Sequence, residues 1–208
     1  MGEQDTAAYW DAAYAAGADT RSWFQRYPAR SLVMLEQAGV TATDSVIDVG
    51  GGASPLAGVL LDRGFRDVTV LDISPAAVRL AWRQLGTRAA QVHWLVADLR
   101  GWQPERRYTV WHDRAVLHFM ATETEQQQYA QALDRATEPG AVAVVGCFAP
   151  DGPEYCSGLP VARLGPADLG GLLGERWTLL AADREEHHTP TDVIQPFTWA
   201  VLRKAGHE

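Results

Sequence analysis

Apolar and polar positions along the chain follow two rhythms. Short runs rich in β-branched residues, at 45–49, 68–71, 92–96, 108–112 and 141–148, read as buried strands. Between them lie stretches of helical spacing at 55–63, 75–85, 122–136 and 166–173. Ser54-Pro55 and Ser74-Pro75 each set a capping hydroxyl ahead of a proline, a favoured helix opening. Strands alternating with helices need crossover connections, so the pattern predicts a parallel sheet. The tail departs from it. Residues 177–186 and 194–203 read as two strands separated only by a loop at 187–193, which predicts a final strand running antiparallel. The amino-terminal part, with Tyr9-Trp10, Tyr14 and Trp23-Phe24, reads as helical segments lying over the sheet.

Composition narrows the class. The 208 residues suit one well-filled domain, and 47% apolar content supplies its core. No run of about 18 apolar residues offers a membrane span. The polar, acidic start is unlike a secretory signal, so the expected location is cytoplasmic. A net charge of −8 gives a phosphate backbone no broad basic face. Neither a nucleic acid nor a membrane is therefore expected as partner. Cys147 and Cys156 do not make a disulfide scaffold, and their spacing to His187 and His188 does not favour a metal site.

Ligands of open α/β sheets bind beyond the carboxyl ends of the strands. Val46-Ile47-Asp48-Val49-Gly50-Gly51-Gly52-Ala53-Ser54-Pro55 is a strand, a glycine turn and a helix start. Glycines there let backbone approach a ligand closely. Pro55 stands where the dinucleotide fingerprint has its third glycine, and Asp48 would oppose a pyrophosphate. A ligand bearing an ammonium and a sulfonium suits that carboxylate, which favours S-adenosylmethionine over NAD or ATP. Asp72, flanked by Ile73, closes the second strand, where an acid can accept both ribose hydroxyls. Ala97-Asp98-Leu99 closes the third, and Asp98 can accept from an adenine amine. Three acids at successive strand ends exceed what helix capping requires.

On these residues the chain resembles the class I S-adenosylmethionine-dependent methyltransferases. Asp48-Val49-Gly50-Gly51-Gly52 matches their first motif, Asp72 the ribose acid and Asp98 the adenine-side acid. The resemblance runs from about Tyr9 to Lys204. It implies a Rossmann-like α/β fold with a seven-stranded sheet in the order 3-2-1-4-5-7-6, strand 7 antiparallel, and helices on both faces. It also implies S-adenosylhomocysteine as product and no metal. Within one domain over 1–208, residues 1–40 read as a helical cover and 41–148 as the cofactor-binding core. Residues 149–164 read as an acceptor lid, and 165–204 as a helix with the terminal strand pair.

For the acceptor the resemblances divide. Trp111-His112-Asp113-Arg114-Ala115 is similar to the segment of thiopurine-type small-molecule S-methyltransferases. Tyr9-Trp10-Asp11-Ala12-Ala13-Tyr14 is similar to the start of a group of protein lysine methyltransferases. The leading expectation is a small-molecule acceptor, with a thiol first, and a protein lysine second. A cofactor-binding module without turnover comes third. Methyl transfer relies mainly on alignment, but an amine, alcohol or carbon acid must lose its proton. Candidate bases are His118, preferred for its place past the fourth strand, then His112 and the pair His187-His188. Asp113 is expected to hold the cofactor's amino group or orient Arg114. Trp10 and Trp23 are nominated for the sulfonium. Arg114, His118, Tyr155, Cys156, His187 and His188 are nominated for the acceptor.

Overall fold

A computed structural model describes residues 3–15, 17 and 21–206 of the chain. Its strands are β1 (Ser45–Val49), β2 (Asp67–Asp72), β3 (Val92–Val96), β4 (Tyr108–Arg114), β5 (Thr137–Phe148), β6 (Tyr155–Cys156), β7 (Leu159–Pro160), β8 (Trp177–His188) and β9 (Ile194–Lys204). Its α-helices are α1 (Glu3–Ala15), α2 (Ala29–Gln37), α3 (Leu56–Asp62), α4 (Pro75–Leu85), α5 (Glu123–Ala136) and α6 (Pro166–Leu173).

Seven strands form one sheet in the order β3-β2-β1-β4-β5-β9-β8. Counted within that sheet alone, the order is 3-2-1-4-5-7-6. β1 to β5 pair in parallel, and β9 is antiparallel to both of its neighbours, β5 and β8. This is the expected topology. β6 and β7 form a separate two-stranded ribbon.

Side chains alternate across a strand, so each strand of the sheet feeds two cores. On one face Val46, Val110, Val144 and Trp199 pack with Leu32 and Leu35 of α2 and Leu56 and Leu60 of α3. On the other, Ile47, Trp111, Val145 and Leu202 pack with Tyr129 and Leu133 of α5 and Leu169 of α6. Helices therefore cover both faces.

Caps set the helix starts. Ser74 accepts from the Ala77 N–H at 3.1 Å with Pro75 in the first turn of α4, and Thr122 and Glu125 form a capping box on α5. Ser54 accepts from the Leu56 N–H at 3.2 Å, so α3 opens one residue later than its proline suggests. Other expected boundaries move too: β5 starts at Thr137, ahead of the expected 141. β8 runs on through His188, because His187 and His188 pair with Gln195 and Ile194 rather than bridging the strands as a loop. Within 149–164 the chain folds into the β6–β7 hairpin, turned by Ser157 and Gly158, both at positive φ (50° and 78°). Among the described residues, no helix is long and apolar enough to cross a membrane.

Candidate active site

A cavity of about 310 Å³ opens beyond the carboxyl ends of β1 to β4. Its floor is the glycine turn. Gly50 and Gly52 lie at φ 62° and 42°, in the left-handed region that glycine adopts without strain. A Cβ on Gly52 would strike the Tyr14 hydroxyl, and one on Gly51 would come within 2.6 Å of Asp48 Oδ2. The turn must therefore be bare to pass between the acids and α1.

Three strand-end carboxylates line the cavity in strand order, Asp48, Asp72 and Asp98, and Glu125 of α5 joins them. Asp48 is closed off from solvent at the end of β1. Its Oδ1 lies 2.7 Å from His112 Nδ1 on β4, while Oδ2 has no partner among the described residues. Asp72 accepts from the Ser74 N–H at 2.8 Å. Burial pushes its carboxyl up to about 7, and the charges of Asp48 and Asp11 add to the shift. Asp98 differs. Burial raises its carboxyl, but the Arg100 guanidinium, bonded to both carboxylate oxygens, holds it below the ordinary range. Arg100 also reaches Glu125 of α5 at 3.2 Å and Thr6 of α1 at 3.3 Å.

The roof comes from α1 and the segment after it. Trp10 packs edge-on against Phe119 (5.0 Å between ring centres) and Tyr14 against Trp23 (5.3 Å). All four rings line the cavity. Asp11 anchors the helix by accepting from Ser74 Oγ at 2.5 Å and the Ala76 N–H at 2.9 Å. Tyr9 donates to the Ser157 carbonyl in the β6–β7 turn. Leu159 and Pro160 of β7 bring that hairpin to the cavity wall.

The alternation of β4 decides which residues face this space. His112 and Arg114 line it. Arg114 Nη1 donates to the Trp23 carbonyl at 2.9 Å and the guanidinium stacks 5.1 Å from the Phe197 ring centre. Its Nε and Nη2 are shut off from solvent and have no partner among the described residues. Burial holds its pKa below the usual arginine value.

Asp113, one residue between, points to the opposite face. Its carboxylate accepts from the Val116 and Leu117 N–H groups at 2.8 and 3.0 Å, and burial lifts it to about 6. It braces the turn after β4 and does not line the cavity.

His118 also lies away from the cavity. Ala115 turns the chain at φ 73°, a conformation rare for a residue with a Cβ, and carries His118 among Phe119, Phe148 and Phe197. It is 0% exposed with neither ring nitrogen bonded among the described residues, and burial pushes its pKa down to about 3.

Other nominated residues also separate. Ile73, Ala97, Leu99, Gly50 and Gly51 line the cavity; Gly52 does not. Tyr155 is 62% exposed on the outside of the hairpin. Cys156 faces inward but is packed in the core, and burial raises its thiol pKa. His187 is buried with its Nε2 2.7 Å from the Ser22 carbonyl, and His188 is exposed. Sequence reasoning missed Arg100, although the Asp98-Leu99-Arg100 spacing allows the pair.

The match to known proteins agrees with this geometry. Residues 46–140 match a family model described as a methyltransferase domain. The solved N-methyltransferase NodS of Bradyrhizobium japonicum WM9, in complex with S-adenosylhomocysteine, superposes with a TM-score of 0.72 at 15% identity. The superposition covers 95% of this chain and 98% of that one. Residues 46–140 thus resemble a methyltransferase domain, set in a fold that the solved N-methyltransferase shares.

Two further likenesses bear on the chain. A solved protein from work on the conversion of a disulfide bond into a thioacetal group during echinomycin biosynthesis is 26% identical. It has a TM-score of 0.76, with 97% of this chain and 94% of that one covered. The eEF1A lysine and N-terminal methyltransferase of Homo sapiens is 26% identical over 176 residues, that of Mus musculus 24% over 181. Those stretches are 81% and 86% of this chain. The chain spans about a quarter of the length of these curated relatives (24% and 25%).

Proposed function

We propose that the chain is a class I S-adenosylmethionine-dependent methyltransferase that passes its methyl group to a small-molecule acceptor, with a thiol as first choice. The observation that carries this reading is the roofed cavity. α1 and the β6–β7 hairpin meet through Tyr9 and Ser157, and the hairpin brings Leu159 and Pro160 against a space of about 310 Å³. A compact acceptor fits such an enclosure better than a folded surface does. Residues 149–164 then act as the acceptor lid. Likeness to the echinomycin protein, which belongs to sulfur chemistry by its description, supports the thiol.

The chain's residues fit the cofactor. Asp72 accepts the ribose hydroxyls, and Asp48 Oδ2, unpartnered among the described residues, receives an ammonium. Asp98, steadied by Arg100, borders the adenine, and Trp10 and Trp23 present aromatic faces to positive charge. When bound, S-adenosylmethionine supplies an electrophilic methyl group on a sulfonium. Arg114, with two guanidinium nitrogens unpartnered among the described residues, orients the acceptor.

A second reading, methylation of a protein lysine, is favoured by the eEF1A-methyltransferase relatives and by the Tyr-Trp-Asp start that forms α1. Purified protein given methyl-labelled S-adenosylmethionine and a size-fractionated cell extract separates the two. Label in the small-molecule fraction supports the first reading. Label confined to a protein band overturns it in favour of the second, and no transfer to either overturns both.

A further inference from the structure

Asp48 and His112 are direct neighbours in the β1–β4 ladder, so the register of two central parallel strands places their side chains on one face. There Asp48 Oδ1 meets His112 Nδ1 at 2.7 Å, and both side chains are almost wholly buried, 3% and 2% exposed. The partner of one ring nitrogen fixes what the other can do. A carboxylate only accepts, so Nδ1 carries the proton and Nε2 is left with its lone pair. Nε2 has no partner among the described residues, and His112 lines the cavity. An orphaned acceptor in a closed polar site is costly unless something fills it in use. The ring is also steadied by Trp199, 6.3 Å between ring centres. Gly146 makes room for that indole, since a Cβ there would come within 2.9 Å of it.

We propose that His112, oriented by Asp48, is the general base that removes the acceptor's proton. His118 cannot serve from its place behind Phe119, outside the cavity. The inference rests on the methyl-transfer reading above and narrows it to acceptors that carry a removable proton: a thiol, an amine, a hydroxyl or an acidic carbon. The proton on the acceptor atom passes to Nε2 while that atom's electron pair bonds to the methyl carbon. The old carbon–sulfur bond breaks with its electrons left on sulfur, and the imidazolium then gives its proton to water. Asp48 is the positioning residue. It holds the tautomer and balances the charge that His112 gains.

Two measurements test the dyad. In protein labelled with ¹⁵N-histidine and saturated with S-adenosylhomocysteine, long-range ¹H–¹⁵N spectra report the tautomer. The His112 signals are assigned by their loss in His112→Gln. One protonated and one bare nitrogen, with Nδ1 protonated and the pattern lost in Asp48→Asn, is the expected result. A ring protonated at Nε2 overturns the assignment. In turnover on the labelled small-molecule fraction, His112→Ala should lose 10²- to 10⁴-fold in kcat, the range for a general base. Cofactor affinity should stay within about threefold, and added imidazole should restore part of the rate. An unchanged rate, or a loss that imidazole does not repair and that tracks cofactor affinity, overturns it. If the native protein labels no small molecule, the acceptor reading has failed, and the tautomer spectra still decide the dyad.

Discussion

Asp72 ends β2 with its carboxyl pushed up to about 7, chiefly by burial. A carboxyl whose pKa is higher folded than unfolded (about 3.9) favours folding below the unfolded value. That contribution is lost as pH rises through 7. Asp72→Asn removes a buried charge and should raise the melting temperature of cofactor-free protein by a few degrees at pH 8, with no gain at pH 4. The same change should weaken S-adenosylmethionine binding at least tenfold by calorimetry, since a charged acceptor contributes about 1.5–3 kcal/mol to its hydrogen bonds. The three strand-end acids were legible because their position follows from the strand pattern alone. Asp113 was assigned to the site because strand alternation was not carried through β4; its neighbours His112 and Arg114 take the cavity face. His118 depended on the positive φ of Ala115, which no residue type announces.

Among the elements, α1 roofs the cavity and is tied down by side-chain contacts to distant parts of the chain. It is fixed by Asp11 at the α4 start, by Tyr9 on the hairpin and by Arg100 reaching Thr6. Asp11→Ala removes a carboxylate with two donors, and loss of one such charge-assisted bond is worth about tenfold or more. The expected result is faster cofactor dissociation by stopped-flow fluorescence of the roof tryptophans, with little change in melting temperature. Aromatic spacing revealed that a helical cover exists at the amino terminus. The pinning contacts were hidden, since they join residues 63 to 148 positions apart. The extent of β8 was hidden for a similar reason: pairing with β9, and not local pattern, carries it through His188.

At the scale of the molecule, the sheet order and its reversed last strand were readable because connection lengths and handedness leave few topologies. A site lined by Asp48, Asp72, Asp98 and Glu125, against Arg100 and Arg114, should discriminate by charge. S-adenosylmethionine at about 100 times its Kd should stabilise the fold by about 2.7 kcal/mol, or roughly 5–10 °C in melting temperature. ATP at the same concentration should give no shift in differential scanning fluorimetry; an equal shift would contradict the cationic-ligand assignment. The Asp48–His112 pair belongs to this scale too, because it is a rung between the two strands at the middle of the sheet. Such a pair needs no loop to swing and no ligand to assemble it. Warming the protein should therefore leave the two groups in register until the whole sheet gives way, and backbone amides at that rung should exchange with solvent only through complete unfolding.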